Sequence, residues 1–256
     1  MLRPTNARLG GVSVPSAWGV PLVAAAVPGA LALGAWGWWR LRSTPEPAGS
    51  GESGGWVKPR YDVVADRAML AQVLALAGVL STAAVLARPA GTTEVAWLPA
   101  ALGWAMMAGL GSAAVLCDLR TTYLPSSLMR PWELLTALAV LASWSEALVS
   151  DPGHTTGLVV RVGVGALAAR LLFWGLWHFG GRVGYGDVRL ATILAADAAL
   201  VSVTAWTSWL VAGTLTGGVW AIATAIVRRR RPTLLGTAFP YGPSLAIGAW
   251  LALVLQ

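Results

Sequence analysis

Long apolar runs, separated by short connectors rich in charge, glycine or proline, make up most of this chain. The first covers about 17–39 and ends in Trp36, Trp38 and Trp39 ahead of Arg40 and Arg42, the pattern of a span with an aromatic interfacial belt. Further runs lie at about 68–87, 96–117, 131–149, 157–179, 189–202, 204–227 and 235–255. The stretch from 189 to 227 is too long for one helix and carries Asp197, so it predicts a short helix, a tight turn near Leu200 to Thr204 and a full-length helix. The pattern predicts an all-α polytopic membrane bundle of about eight transmembrane helices. Continuous rather than alternating hydrophobicity excludes a membrane β-barrel.

Composition agrees. Of 256 residues, 56% are hydrophobic and 11% charged, against roughly 25% charged in a soluble domain. The net charge of +7 would raise nucleic acid as a partner of a soluble protein. Here the arginines cluster between spans, so no nucleic acid is expected and the lipid bilayer is the partner. Four basic connectors fall on one side: Arg40 to Arg67, Arg120 to Arg130, Arg182 to Arg189 and Arg228 to Arg231. The positive-inside rule makes that side cytoplasmic. Arg3 and Arg8 could be the start of a signal peptide, but the tryptophans fit a retained span better. Residues 43–66 are rich in Ser, Gly, Pro and Glu and read as a flexible loop. Two parts follow: 1–67, a span plus that loop, and 68–256, a membrane-embedded domain.

The chemistry-bearing residues are few. Cys117 is the single cysteine; it excludes an intramolecular disulfide and a Cys-based zinc cluster. His154 and His178 are far apart and form no HExxH, and there is no GxSxG elbow. Arg170, mid-span, needs a partner, for which Glu133, Glu146 or Asp197 could serve. Two aspartates remain, each at the polar end of an apolar run. Asp118 lies in Leu116-Cys117-Asp118-Leu119-Arg120 ahead of Leu124-Pro125, and Asp187 in Gly184-Tyr185-Gly186-Asp187-Val188-Arg189-Leu190. Ionisable groups beside bilayer-length apolar segments are costly and mark working sites by default. Taken singly, Asp118 also reads as a helix-end aspartate beside Arg120, and Asp187 as a helix cap. Together on one face they point to acid/base chemistry by a carboxylate pair. Phe239-Pro240-Tyr241-Gly242-Pro243, inside the last run, either starts a helix near Pro243 or leaves backbone groups for an extended peptide.

These three motifs, in this order and spacing, resemble the type IV prepilin peptidases, which are GxGD-type intramembrane aspartyl proteases. The resemblance covers about 68–255. It implies that Asp118 and Asp187 are catalytic. It also implies cleavage of the short basic leader of pilin-like precursors, type IV pilus or secretion components, at the cytoplasmic face of a prokaryotic inner membrane. Gly184, Gly186, Pro240, Gly242 and Pro243 are then the substrate-binding positions. Ser126 stands where the family usually has Asn or Asp, and Arg189 where it usually has Lys. Larger members carry a zinc domain with two Cys-x-x-Cys pairs between the first two spans. Here that interval is the cysteine-free 43–66 loop, so the form without a zinc domain is expected: no metal, no cofactor and no N-methyl transfer. No oligomeric state follows from the sequence. Two other readings stay open. One is a presenilin-like protease, which would usually carry Tyr where Cys117 stands. The other is a non-enzymatic transporter or assembly subunit coupling ions through the aspartates, although such carboxylates tend to sit near the midplane.

Overall fold

The computed structural model describes residues 19–45, 60–86, 102–150, 152–180, 183–230 and 240–254. Among these residues every regular element is a helix. In chain order they are α1 (Gly19–Arg42), the single-turn α2 (Tyr61–Val64), α3 (Arg67–Leu86), α4 (Leu102–Thr121), α5 (Ser126–Ser150), α6 (Pro152–Gly180), α7 (Tyr185–Val201), α8 (Val203–Arg230) and α9 (Gly242–Val254). Five described segments are long and apolar enough to cross a bilayer: Arg67–Ala84, Leu102–Thr121, Ser126–Val149, Thr155–Phe179 and Val203–Ile226. The protein is an all-α polytopic membrane bundle.

The bundle is built around its two most buried helices. Between Asp187 and Leu200 on α7, every side chain except Arg189 and Thr192 is buried. On α4 the segment from Gly103 to Ala114 is buried throughout. The peripheral helices are the reverse. Leu134, Leu138 and Leu141 of α5, with Val160, Val164, Leu167 and Leu171 of α6, recur at helical spacing and stay exposed, which gives the lipid an apolar surface. So the aspartates sit on the helices most shielded from lipid, the only places a bilayer tolerates them.

The long run from 189 to 227 divides at Ser202, within the expected turn. Ser202 has extended backbone (φ −165°, ψ 166°) and its hydroxyl caps the next helix through the Ala205 amide at 2.9 Å. Several sequence boundaries shift, two of them next to the motifs. The helix expected from 131 starts at Ser126 instead, because the amides of Leu128 and Met129 close onto the Pro125 carbonyl at 3.1 Å; Pro131 lies inside it. The loop expected over 43–66 ends earlier. Tyr61, Val64 and Ala65 are buried, and Asp66 caps α3 by accepting the Met69 amide at 2.6 Å. An apolar pair at i, i+3 and a cap are enough to dock this last turn on the core. Residues 46–59 of that loop lie outside the described residues, as does Phe239.

Candidate functional site

The turn after α4 shapes the first half of the site. Asp118 lies in the last turn of that helix and is 3% exposed. Its carbonyl accepts the Thr122 amide at 2.7 Å, and Thr122 takes a left-handed conformation (φ 55°) to end the helix. A β-branched residue rarely adopts this conformation and pays for it in strain. Thr121 Oγ1 fixes the turn by donating to the Tyr123 carbonyl at 3.1 Å. The chain then delivers Leu124 and Pro125, both buried. Arg120 does not pair with Asp118. It turns outward to the Val64 carbonyl and Gln72 Oε1, both at 2.8 Å, and to Asp66 at 3.4 Å.

The second half is the start of α7. Gly184 is the N-cap, in extended backbone (φ −76°, ψ 153°), and Asp187 Oδ2 accepts its amide at 3.0 Å. Asp187 is therefore a helix cap, but only one of its oxygens is used. Oδ1 is buried without a hydrogen-bond partner among the described residues, an unusual state for a carboxylate oxygen and one that calls for a reason. Gly186 is pressed onto the first half: a Cβ there would come 2.7 Å from Leu124 Cβ.

The third segment closes the site. Pro240 is buried, Tyr241 half-buried, and α9 begins at Gly242 with Pro243 in its first turn, where a missing amide costs nothing. The amides of Ser244 and Leu245 bond the Tyr241 carbonyl at 3.1 and 3.3 Å. The Gly242 amide is left for Asp118 Oδ2, which accepts it at 3.0 Å. A Cβ on Gly242 would meet that same oxygen at 2.9 Å. The two carboxylates lie within electrostatic reach of one another.

All three sequence motifs thus meet at one end of the bundle. Asp118, Asp187, Gly184, Gly186 and Gly242 form the centre, and Pro240 and Pro243 hold the turn that carries Gly242. Glu133 was a candidate partner for Arg170. It instead binds Arg189 through both oxygens, at 2.6 and 2.5 Å, while Arg170 reaches the Tyr185 hydroxyl at 3.4 Å. Sequence reasoning missed the left-handed Thr122 and the Leu124–Gly186 contact; nothing in a Thr-Thr-Tyr run signals either. Among the described residues, no three His, Cys, Asp or Glu side chains gather in a metal-holding group.

No protein-family model matches the chain, and no solved structure matches it. It is 30% identical over 164 residues to the "Prepilin leader peptidase/N-methyltransferase" of Aeromonas salmonicida strain A449, an alignment covering 59% of this chain and 50% of the relative. A protein of the same description from Aeromonas salmonicida matches to the same extent. The chain spans about half the length of the curated relatives it matches.

Proposed function

We propose that this protein is a membrane aspartyl endopeptidase of the prepilin-peptidase type. It cuts the basic leader from pilin-like precursors at the cytoplasmic face of a prokaryotic inner membrane, with Asp118 and Asp187 as the catalytic pair. The observation that carries this reading is the pair itself: two buried carboxylates from different helices, each steadied by one glycine amide, one of them with an oxygen free. The relatives' description supports the peptidase class and the precursor as substrate.

In this reading one aspartate is ionised and takes a proton from water as the water attacks the scissile carbonyl. The other is protonated and hydrogen-bonds the carbonyl oxygen. The tetrahedral intermediate then collapses: the C–N bond breaks and a carboxyl proton passes to the leaving amine. Close carboxylates share one proton, which suits them to this division of roles. The free Asp187 Oδ1 is the atom available to hold the water. The Gly242 amide holds one oxygen of Asp118 and so orients its carboxyl. Residues 43–55 of the connector between α1 and α3 are rich in Ser, Gly, Pro and Glu and lack aromatic side chains, a composition ill suited to a methyl-donor pocket, so the reading is cleavage without N-methyl transfer. Co-expression with a candidate precursor, read as a size shift that Asp118→Asn and Asp187→Asn abolish, tests it. A precursor processed by either variant contradicts it.

A further inference from the structure

Beside the carboxylate pair, the outer face of the bundle carries a recess. A groove of about 730 Å³ runs between α5, α6 and α7, a size that holds a small ligand or part of a lipid. Its upper end is cationic: Arg130, Arg170 and Arg189 reach it from three different helices, with Glu133 the one acidic side chain among them. Three arginines and one glutamate leave a charge of +2 there. Glu133 is already held by Arg189. Among the described residues, Arg170 hydrogen-bonds only the Tyr185 hydroxyl and Arg130 has no polar partner. The remainder of the groove is mostly apolar, with Val140, Leu141, Val162 and Ile193 as its walls, Gly163 and Ala166 giving it depth, and Thr136 and Thr192 as its polar members.

Position selects the occupant. Arg130 and Leu141 are eleven residues apart on α5, so the groove descends about 16 Å at ~1.5 Å per residue. One leaflet of the hydrocarbon core is about 15 Å deep. The cationic end is the end of the bundle that carries Asp187, since Tyr185 lines it. A molecule with an anionic head at the interface and an alkyl chain one leaflet long fits both halves. Basic pockets between transmembrane helices on the cytoplasmic side are suited to anionic headgroups.

We propose that this groove is a binding site for one anionic phospholipid, its phosphate against Arg130 and Arg170 and an acyl chain along Val140, Leu141 and Val162. The inference does not depend on the peptidase reading, and its readout is lipid, not cleavage. The full chain, purified in neutral detergent, is given phosphatidylglycerol or phosphatidylcholine and examined by native mass spectrometry. One phosphatidylglycerol should be retained per chain, with at least about tenfold less phosphatidylcholine at equal concentration. Arg130→Gln with Arg170→Gln should lower phosphatidylglycerol occupancy by at least about tenfold, as two surface arginines near a membrane predict. Leu141→Trp, which fills the apolar half and leaves the arginines, should lower it as well; inorganic phosphate binding alone would not respond to that change. Arg130 is exposed, so Arg130→Gln alone remains informative if the double variant fails to fold. Equal retention of the two lipids, or occupancy unchanged in variants that melt like the parent, overturns the proposal. So does displacement of bound lipid by a hydrophobic helical peptide with no preference for headgroup, which would make the groove a protein-segment site.

Discussion

The backbone amide of Gly242 donates to Asp118 Oδ2 at 3.0 Å across 124 positions of sequence. This contact joins the last helix to the first aspartate and fixes one carboxylate oxygen. It also sets a steric limit, because any Cβ at 242 would stand 2.9 Å from the oxygen it holds and 3.3 Å from Leu190 Cδ2.

Gly242→Ala should therefore lower peptidase activity by about tenfold to a hundredfold, since small displacements of a reacting group carry costs of that order. Gly184→Ala should be mild. Its backbone is extended, and a Cβ there would meet nothing closer than Asp187 Oδ2 at 3.5 Å. Initial rates on a precursor peptide separate the two glycines, and equal sensitivity at both positions would remove the steric argument.

Gly186 behaves differently again. Leu124 occupies the space its side chain would need, at 2.7 Å from the Cβ position. Gly186→Val should lower both activity and melting temperature, and adding Leu124→Ala to make room should restore part of each. If the second change rescues nothing, the contact between the two motifs is not what the glycine protects.

Much of this was legible in the sequence, and for physical reasons. Apolar run length sets helix count, so the break near Ser202 could be placed from the length of the 189–227 stretch alone. The aspartates stood out because a bilayer penalises them. What could not be read is how three segments dock. The left-handed Thr122 has no compositional sign, and the Arg189–Glu133 pair joins residues 56 apart that no helical period relates. The docked Tyr61–Ala65 turn was hidden in a segment whose average composition reads as loop.

The Arg189–Glu133 pair gives a stability prediction. Arg189 is 15% exposed and Glu133 36%, and the planar fork of arginine is what allows two hydrogen bonds. Arg189→Lys keeps the charge and loses one bond, so it should cost about 1 kcal/mol, discounted for the solvent that reaches Glu133. A double-mutant cycle with Glu133→Gln, read by thermal or denaturant melting in detergent, should show coupling of that size. Additive effects would mean that the pair contributes nothing beyond its members.

Asp66 links the α2 turn to α3 and carries a pH signature. The Met69 amide, then the Arg120 guanidinium, hold its carboxyl below the ordinary value of 3.8. A carboxyl with a depressed folded pKa contributes stability above its unfolded value and loses it as pH falls through the folded one. Melting temperature should therefore drop as the medium is taken from about pH 5 to below 3.8, and Asp66→Asn should flatten that part of the profile while lowering the plateau. An unchanged acid limb in the variant would place the sensitivity elsewhere.

The most direct test of the carboxylate pair uses a third buried aspartate as its control. Asp197 lies on the same helix as Asp187 and is 2% exposed. Thr136 is beside it, yet among the described residues neither of its oxygens has a partner in hydrogen-bonding geometry. It is buried and acidic like the other two, but away from the three motifs. Purified parent protein, Asp118→Asn, Asp187→Asn and Asp197→Asn are compared on one synthetic precursor, with melting curves to confirm folding. The parent and Asp197→Asn should cut within a few-fold of one another. Asp118→Asn and Asp187→Asn should each fall by at least about a hundredfold, the scale of losing a positioned acid or base. Substantial cleavage by either of those two folded variants, or equal loss in all three, would contradict a catalytic centre made of Asp118 and Asp187.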